Sequence, residues 1–162
     1  VPIRDDNTCN WGVIDVDKYN IKHEELISLI RKRNYPLVPY RSKSNGLHLI
    51  LHIDGLVEAS SMRKKLIEIA SDLGINDTTT DIFPAQDEVD LSPEKWDDKR
   101  KGNFVNLPYQ KAHMTTRVAM NDDCSAIKLE NLYEYVKKFR LTPDNFYKLK
   151  IFKDDETKDY PP

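Results

Sequence analysis

The sequence has little cysteine, little glycine and no long hydrophobic run. Its two cysteines, Cys9 and Cys124, form no Cys-x-x-Cys pair, so neither a disulfide framework nor a structural zinc site is expected, and a reducing compartment is favoured. No apolar run approaches the ~18 residues that a membrane-spanning helix requires. With five glycines and nine prolines in 162 residues, the chain contains no low-complexity segment and no internal repeat. These absences predict a globular domain that acts in the cytoplasm without a membrane partner.

A strong excess of charge is also absent. The net charge is −2, which argues against a protein that holds nucleic acid by electrostatic attraction alone. The distribution is uneven, because residues 18–65 are net basic and residues 66–98 are net acidic. The basic clusters at residues 31–33 and 63–65 fit the solvated faces of two helices, which is the simplest explanation for them.

The length of the chain suits one domain with its own hydrophobic core. The sequence turns polar after three residues, so no signal peptide is expected. It does not begin with methionine, and we expect it to be a fragment of a longer chain. The single domain divides into a core at about residues 10–110, a C-terminal addition at residues 111–152 and a tail at residues 153–162.

Hydrophobic periodicity predicts two helices and four strands in the core. The strands fall at residues 10–17, 35–41, 47–53 and 79–83, and the helices at residues 22–33 and 58–73. Their order, β-α-β-β-α-β, predicts an α+β fold of the ferredoxin-like or RNA-recognition-motif-like kind, with an antiparallel sheet. C-terminal α/β additions should follow: an acidic loop, a short strand, a helix and a frayed tail, at residues 86–98, 102–108, 129–139 and 153–159.

This strand order predicts where the polar residues meet. In a ferredoxin-like sheet the first strand lies between the third and fourth and runs antiparallel to both. The end of the first strand, with Asp15 and Asp17, therefore meets the beginnings of the strands that carry His48 and Asp81. Alternation along the third strand directs its leucines towards the helices and His48 towards the opposite face.

The acidic residues are of the type that binds a hard divalent cation. Asp15 and Asp17 lie two residues apart on a strand, so their carboxylates share a face about 7 Å apart. That spacing can bracket two Mg²⁺ ions about 3.5–4 Å apart, as nucleotidyl transfer requires. Asp81 would complete the set. An isolated Asp-x-Asp can also be incidental, so the motif depends on its surroundings.

The Ser-x-x-x-Gly-x-His pattern at residues 42–48 is more specific. Gly46 permits a conformation or a close approach that other residues resist. Serine hydroxyls, backbone N–H groups and basic side chains can cradle phosphate oxygens, to which a histidine can also donate. An ordinary polar hairpin turn with a surface histidine is the alternative. The candidate phosphate ligands are Arg41, Ser42, Lys43, Ser44 and His48.

The other histidines have weaker indications of function. His52 is about 13 Å along the strand from His48, which is too far for the two to share one metal ion. His23 and His113 are expected to be surface residues.

These residues resemble the archaeo-eukaryotic primase superfamily, the primase-polymerases, of phage and mobile-element type. The resemblance rests on Asp15 and Asp17, on the turn at residues 42–48, and on Asp81 as the best match to a third acidic residue. The run Ser-Lys-Ser-Asn-Gly-Leu-His is similar to the polymerase domains of bacterial end-joining ligases. Residues 81–86 and 102–108 look more like phage and mobile-element members. The resemblance covers roughly residues 10–110.

The resemblance implies template-dependent polymerisation of nucleotides, with primer synthesis or DNA extension, using Mg²⁺ or Mn²⁺ in a two-metal site. It implies that Asp15, Asp17 and Asp81 are catalytic and bind the metals. The turn residues would hold the triphosphate of a dNTP or NTP, and Asn103 and Asn106 would line the nucleotide pocket.

The partners implied by the resemblance are a single-stranded DNA template and a helicase or other replication domain in the parent chain. The setting implied is the cytoplasm of a bacterial or archaeal host, with a phage or plasmid origin. The chain departs from the family pattern in having almost nothing before the first strand and no visible helicase or zinc segment. That departure leaves primer initiation open.

Two alternatives share the predicted core. A replication-initiator nuclease requires a His-x-His metal pair, whereas His48 is followed by leucine and isoleucine. A non-catalytic RNA-recognition-like module stacks bases on aromatic side chains of its sheet. The third strand offers His48 and His52 there instead, and the acidic residues of the first strand would repel phosphate without a metal.

Overall fold

The computed structural model of the protein describes residues 2–18, 20–92, 105–111 and 113–152. Within these residues, four strands and two helices form the expected β-α-β-β-α-β core, and two further helices follow it. The elements are β1 (Thr8–Val16), α1 (His23–Lys32), β2 (Leu37–Arg41), β3 (Leu47–Glu58), α2 (Ala59–Asp72), β4 (Thr80–Phe83), α3 (Leu129–Lys137) and α4 (Pro143–Lys148).

The four strands form one antiparallel sheet in the order β2-β3-β1-β4. This is the ferredoxin-like order, so β1 lies between β3 and β4 as the sequence predicts. The predicted α+β fold class is confirmed. None of the helices in the described part of the chain is long and apolar enough to cross a membrane.

One face of the sheet is buried against α1 and α2. Alternate residues of β1 and β3 project to this side and are fully buried, and full burial of each such side chain contributes roughly 1.5–3 kcal/mol. The apolar residues of the two helices complete the core. Its members include Ile14, Val16, Leu47, Leu49 and Leu51 from the strands, with Leu26, Ile30, Met62, Leu66 and Ile69 from the helices.

The opposite face carries a second, smaller apolar cluster. Residues from all four strands form its base, and residues from the C-terminal part of the chain cover it. An isolated bridge between Tyr40 and Ala119 joins this cover to the edge of β2. The cluster contains Val13, Val38, Tyr40, Ile50, Phe83, Tyr109, Ala119 and Ile127. The second face is therefore partly closed by the chain itself.

Arg31 on α1 attaches the C-terminal part to the core. Its guanidinium donates to the carbonyl of Leu37 and to the carboxylate of Asp122, each at 2.9 Å. The same group lies over the ring of Phe139, 4.2 Å from its centroid. One basic residue of a cluster expected to face solvent thus connects α1, β2 and the segment around α3.

The third strand is longer than predicted. We expected it to end before Asp54, but β3 continues to Glu58. The first residues of β1, Thr8 and Cys9, pair with Glu58 and Val57, and an irregularity in register before Trp11 accommodates the extra residues of β3. Sequence periodicity is lost at such a bulge, which explains the error.

The C-terminal additions are helical with isolated bridges. The helix expected at residues 129–139 is α3, two residues shorter than predicted. α4 was not predicted, although Thr142 caps it and Pro143 begins it, a typical helix start. Of the short strand expected at residues 102–108, residues 105–108 are described and form no strand. Residues 93–104 and the tail at 153–162 lie outside the described residues.

Candidate active site

One row of side chains crosses the sheet near the end where β1 finishes. Asp15 on β1 is the direct partner of His48 on β3 and of Asp81 on β4. His48 is also the direct partner of Tyr40 on β2. Directly opposed residues of antiparallel strands project from the same face, with Cβ atoms about 4.5–5.5 Å apart. The register therefore brings Asp15, His48 and Asp81 together, as the strand order predicts.

The row lies on the face away from α1 and α2. Its neighbours two residues along the strands, Val13 and Ile50, belong to the second apolar cluster, whereas Leu47 and Leu49 belong to the helix-packed core. The prediction that His48 points away from the helices is confirmed.

Asp15 and His48 form the closest pair of this row. Nε2 of His48 lies 3.2 Å from Oδ1 of Asp15. The side chains are 10% and 18% exposed, so both are largely shielded from water. The pair meets the distance of an ion pair but not the geometry of a hydrogen bond, and Oδ1 of Asp15 is buried without a hydrogen-bond partner. A buried carboxylate oxygen without a donor is costly, which marks this atom as a candidate ligand for a cation.

Asp81 and Asp17 are the more accessible carboxylates. Asp81 is exposed on the edge strand β4. Asp17 directly follows β1 and is also exposed, and its backbone N–H donates to the carbonyl of Thr79 at 2.9 Å. Ser44 donates its hydroxyl to Oδ1 of Asp17 at 3.3 Å, which links this carboxylate to the turn after β2.

The donor set fits a hard divalent cation that also takes ligands from a substrate. Among the described residues, no three His, Cys, Asp or Glu side chains stand close enough to form a ready-made metal cage. Mg²⁺ commonly binds through one or two carboxylates, with waters and substrate phosphates as its other ligands. Oδ1 of Asp15, which is buried without a hydrogen bond, and the carboxylate of Asp81, the cross-strand partner residue of Asp15, are donors of this type.

The turn at residues 42–46, called the serine turn below, is held tightly against the end of β1. The N–H of Ser42 donates to the carbonyl of Gly46 at 3.0 Å, and this bond closes the turn. A Cβ atom on Gly46 would overlap the carbonyl oxygen of Val16. Gly46 is therefore required for close approach, and Asn45 supplies the left-handed conformation of the turn, with φ of 63°.

The predicted phosphate ligands of this turn do not all lie together. Ser42 is buried, and its hydroxyl lies 3.4 Å from that of Ser44, while Lys43 and Ser44 are exposed. Arg41 is paired with Leu47, so it belongs to the helix-facing side of the sheet, where its guanidinium lies 3.7 Å from the sulfur of Met120. Arg41 is thus not brought to the face of His48.

The two asparagines proposed for a nucleotide pocket receive little structural support. Asn106 is exposed in a segment without regular structure. Asn103 lies outside the described residues. The placement of the nucleotide base and sugar therefore stays a prediction.

Tyr40, which was not singled out from the sequence, lies beside the site together with His52 and His23. Tyr40 is 3% exposed, and its hydroxyl lies 3.4 Å from Nε2 of His52, while burial raises the pKa of the phenol. Burial, aided by Arg140, lowers the pKa of His52 to about 4. His23, expected to be a surface residue, is partly exposed, and its Nε2 lies 2.8 Å from the carbonyl oxygen of Asn45. Strand alternation could have placed Tyr40, whereas no local signal places His23.

Comparison with known proteins gives one informative match. No curated protein matches the chain significantly. The family model described as the archaeo-eukaryotic primase domain of the TOTE conflict system matches residues 1–148. The match spans most of the 162 residues, including every element from β1 to α4. The resemblance inferred from the carboxylates and the serine turn is thereby confirmed, and the chain belongs to the archaeo-eukaryotic primase domain family of TOTE conflict systems.

Proposed function

We propose that this domain is a metal-dependent nucleotidyltransferase that synthesises primers or extends DNA on a single-stranded template. Membership of the archaeo-eukaryotic primase family suggests a primase-polymerase activity, and domains of this family generally depend on divalent metal. The observation that carries the proposal is the row formed by Asp81, Asp15 and His48, next to the serine turn that contacts Asp17.

The reaction joins the 3′-oxygen of a primer to the α-phosphorus of a nucleoside triphosphate. The bond from that phosphorus to the bridging oxygen breaks, the hydroxyl proton is lost, and pyrophosphate leaves. Two divalent cations, Mg²⁺ or Mn²⁺, would supply charge neutralisation at the attacking and leaving oxygens. Asp15, Asp17 and Asp81 are the residues that would hold them.

Electrostatics favour a cation at this place. Asp15 and Asp81 are direct cross-strand partners, and like charges directly opposed destabilise a sheet. Oδ1 of Asp15 has no hydrogen bond to compensate its burial. A cation between these carboxylates would relieve both costs, and a triphosphate bound alongside would complete its coordination.

The serine turn is suited to the triphosphate. Ser42, Ser44 and the backbone of the turn can donate to phosphate oxygens, and exposed Lys43 can add positive charge. His48, the second residue of β3, lies beside the turn and can donate from its imidazole to a phosphate oxygen. The turn therefore positions the leaving group while the aspartates lie at the reacting end.

The alternative functions have less support. A replication-initiator nuclease would use a His-x-His metal pair, but Ile50 stands two residues after His48, and the side chain of His52 lies beside the hydroxyl of Tyr40. An RNA-recognition-like module requires an open sheet face, but the second apolar cluster covers much of this face. The proposed partners remain single-stranded DNA, dNTP or NTP, and a helicase or other replication domain, in a replicon of phage or plasmid type within a bacterial or archaeal cytoplasm.

One assay tests the function directly. Labelled NTPs and dNTPs are offered with primed and unprimed single-stranded templates, in Mg²⁺, in Mn²⁺ and in a chelator. We expect metal-dependent, template-directed products with wild type and their loss in Asp17→Asn, while Asp5→Asn, an exposed aspartate away from the row, stays active. Products that persist equally in Asp17→Asn or in the chelator would contradict the proposal.

A further inference from the structure

The imidazole of His23 contacts the serine turn although 22 residues of sequence separate it from Asn45. Its Nε2 lies 2.8 Å from the carbonyl oxygen of Asn45. A carbonyl oxygen only accepts, so Nε2 carries the hydrogen. His23 is the first residue of α1, and helical side chains lean towards the N-terminal end of their helix. Because α1 starts at the sheet end where β1 finishes, this side chain reaches the turn between β2 and β3.

Asn45 lies at the exposed tip of the serine turn. Its φ of 63° lies in the left-handed region, which asparagine tolerates better than other residues with a side chain. Residues 43–45 are exposed, so packing does little to fix the tip of the turn. The bond from Ser42 to Gly46 closes its base, and the contact from Ser44 to Asp17 is long at 3.3 Å. The short hydrogen bond from His23 thus holds the tip.

We propose that His23 is a positioning residue that holds the serine turn in the conformation that binds the nucleotide triphosphate. This inference rests on the proposed function. The imidazole acts through the carbonyl of Asn45, so this contact does not occupy the side chain of Lys43 or the hydroxyl of Ser44.

Loss of the His23 hydrogen bond should weaken nucleotide binding and leave the chemical step almost unchanged. Without the hydrogen bond the free turn samples other conformations, and the nucleotide binds only the fraction that is correctly formed. The row of Asp15, His48 and Asp81 belongs to the strands and is unaffected. Loss of one hydrogen bond should therefore raise KM for the nucleotide roughly three- to tenfold and change kcat less than about twofold.

The chain offers matched variants for this test. His23→Ala removes the donor, whereas His23→Gln places an amide N–H near the former Nε2. His113→Ala is the control, because His113 is exposed. Lys43 provides a second readout that needs no activity: a lysine-specific protease cuts after it when the turn is loose, and mass spectrometry detects the new terminus at Ser44.

We expect His23→Ala to be cut after Lys43 faster than wild type and to show the raised KM. His23→Gln should restore both values towards wild type, and His113→Ala should match wild type. Unchanged cleavage after Lys43 in His23→Ala would overturn the holding role. Faster cleavage with unchanged KM would overturn the link to nucleotide binding. If wild type incorporates no nucleotide at all, the proposed function fails. The inference is then decided by cleavage alone: dNTP with Mn²⁺ should protect wild type from cleavage after Lys43, and this protection should be lost in His23→Ala.

Discussion

Asp15 and His48 face each other across β1 and β3, with Nε2 of the imidazole 3.2 Å from Oδ1 of the carboxylate. The same carboxylate is opposed by Asp81 on its other side. Asp15 therefore stands between a group that can donate to phosphate and a group that can bind metal. Because β1 lies between β3 and β4, Asp15 has a cross-strand partner of the row on each side, and the proposed chemistry depends most on this residue.

The close approach at Gly46 gives a prediction about the serine turn. In Gly46→Ala, the new Cβ would overlap the carbonyl of Val16, so the turn must move at a cost of about 1–3 kcal/mol in the free energy of unfolding. KM for the nucleotide should rise because the moved turn no longer matches the triphosphate. Urea denaturation and steady-state incorporation measure the two effects.

The control for this variant is Gly74→Ala. Gly74 has open space around it but a φ of 69°, so alanine there should cost about 1 kcal/mol through backbone strain alone. Its KM should equal that of wild type. An unchanged KM in Gly46→Ala would show that the turn does not contact the nucleotide.

The partly buried side chain of His52 predicts a loss of stability in acid. Burial and Arg140 lower its pKa from 6.5 to about 4 in the folded state, so between these values the unfolded chain binds more protons. This stabilisation of the folded state is complete above about pH 6.5 and declines as the pH falls towards 4, by about 2–3 kcal/mol in the free energy of unfolding. His52→Gln should reduce the decline, whereas His113→Gln should not. Urea denaturation at pH 7, 5.5 and 4.5 measures it, and equal declines in the two variants would contradict the assignment.

The two hydrogen bonds of Tyr109 predict how much this residue contributes to the stability of the second apolar cluster. Its hydroxyl donates to the carbonyl of Ile127 at 2.8 Å and accepts from the N–H of Ala119 at 3.0 Å. Tyr109→Phe leaves both buried backbone groups unpaired, which should cost about 2–3 kcal/mol in the free energy of unfolding. Tyr133 is 62% exposed and serves as the control. Tyr133→Phe should change the free energy of unfolding by less than about 0.5 kcal/mol. Equal effects of the two changes in urea denaturation would refute this role.

The sequence predicted the part of the site that depends on strand order. Alternation along β3 assigned Leu47 and Leu49 to the helix side and His48 to the other, because the side-chain period of a strand is fixed at two. The same order placed Asp15 between His48 and Asp81. Both results follow from the alternation of side chains along a strand and from the β-α-β-β-α-β order of the elements.

The remaining features depend on contacts between distant segments. The extension of β3 to Glu58 arises from pairing with Thr8, and the hydrogen bond of His23 to Asn45 depends on where α1 begins. The helix-side position of Arg41 follows from the register of β2, which two prolines had obscured. The residues that cover the second apolar cluster, among them Tyr109, come after residues 93–104, which lie outside the described residues. Their position depends on contacts with the sheet and not on a local pattern.

The most direct test of the central claim is single-turnover incorporation of one labelled nucleotide on a primed template, in saturating Mn²⁺. Asp15→Asn and Asp81→Asn keep the side-chain volume and remove the charge that would hold the metal. Each should lower the rate at least about 100-fold with the free energy of unfolding unchanged or raised, because metal stabilisation of the transition state is worth several kcal/mol and the opposed carboxylates are relieved. Asp5→Asn should match wild type. Rates within about twofold of wild type for both variants would contradict nucleotidyl transfer at this row of residues.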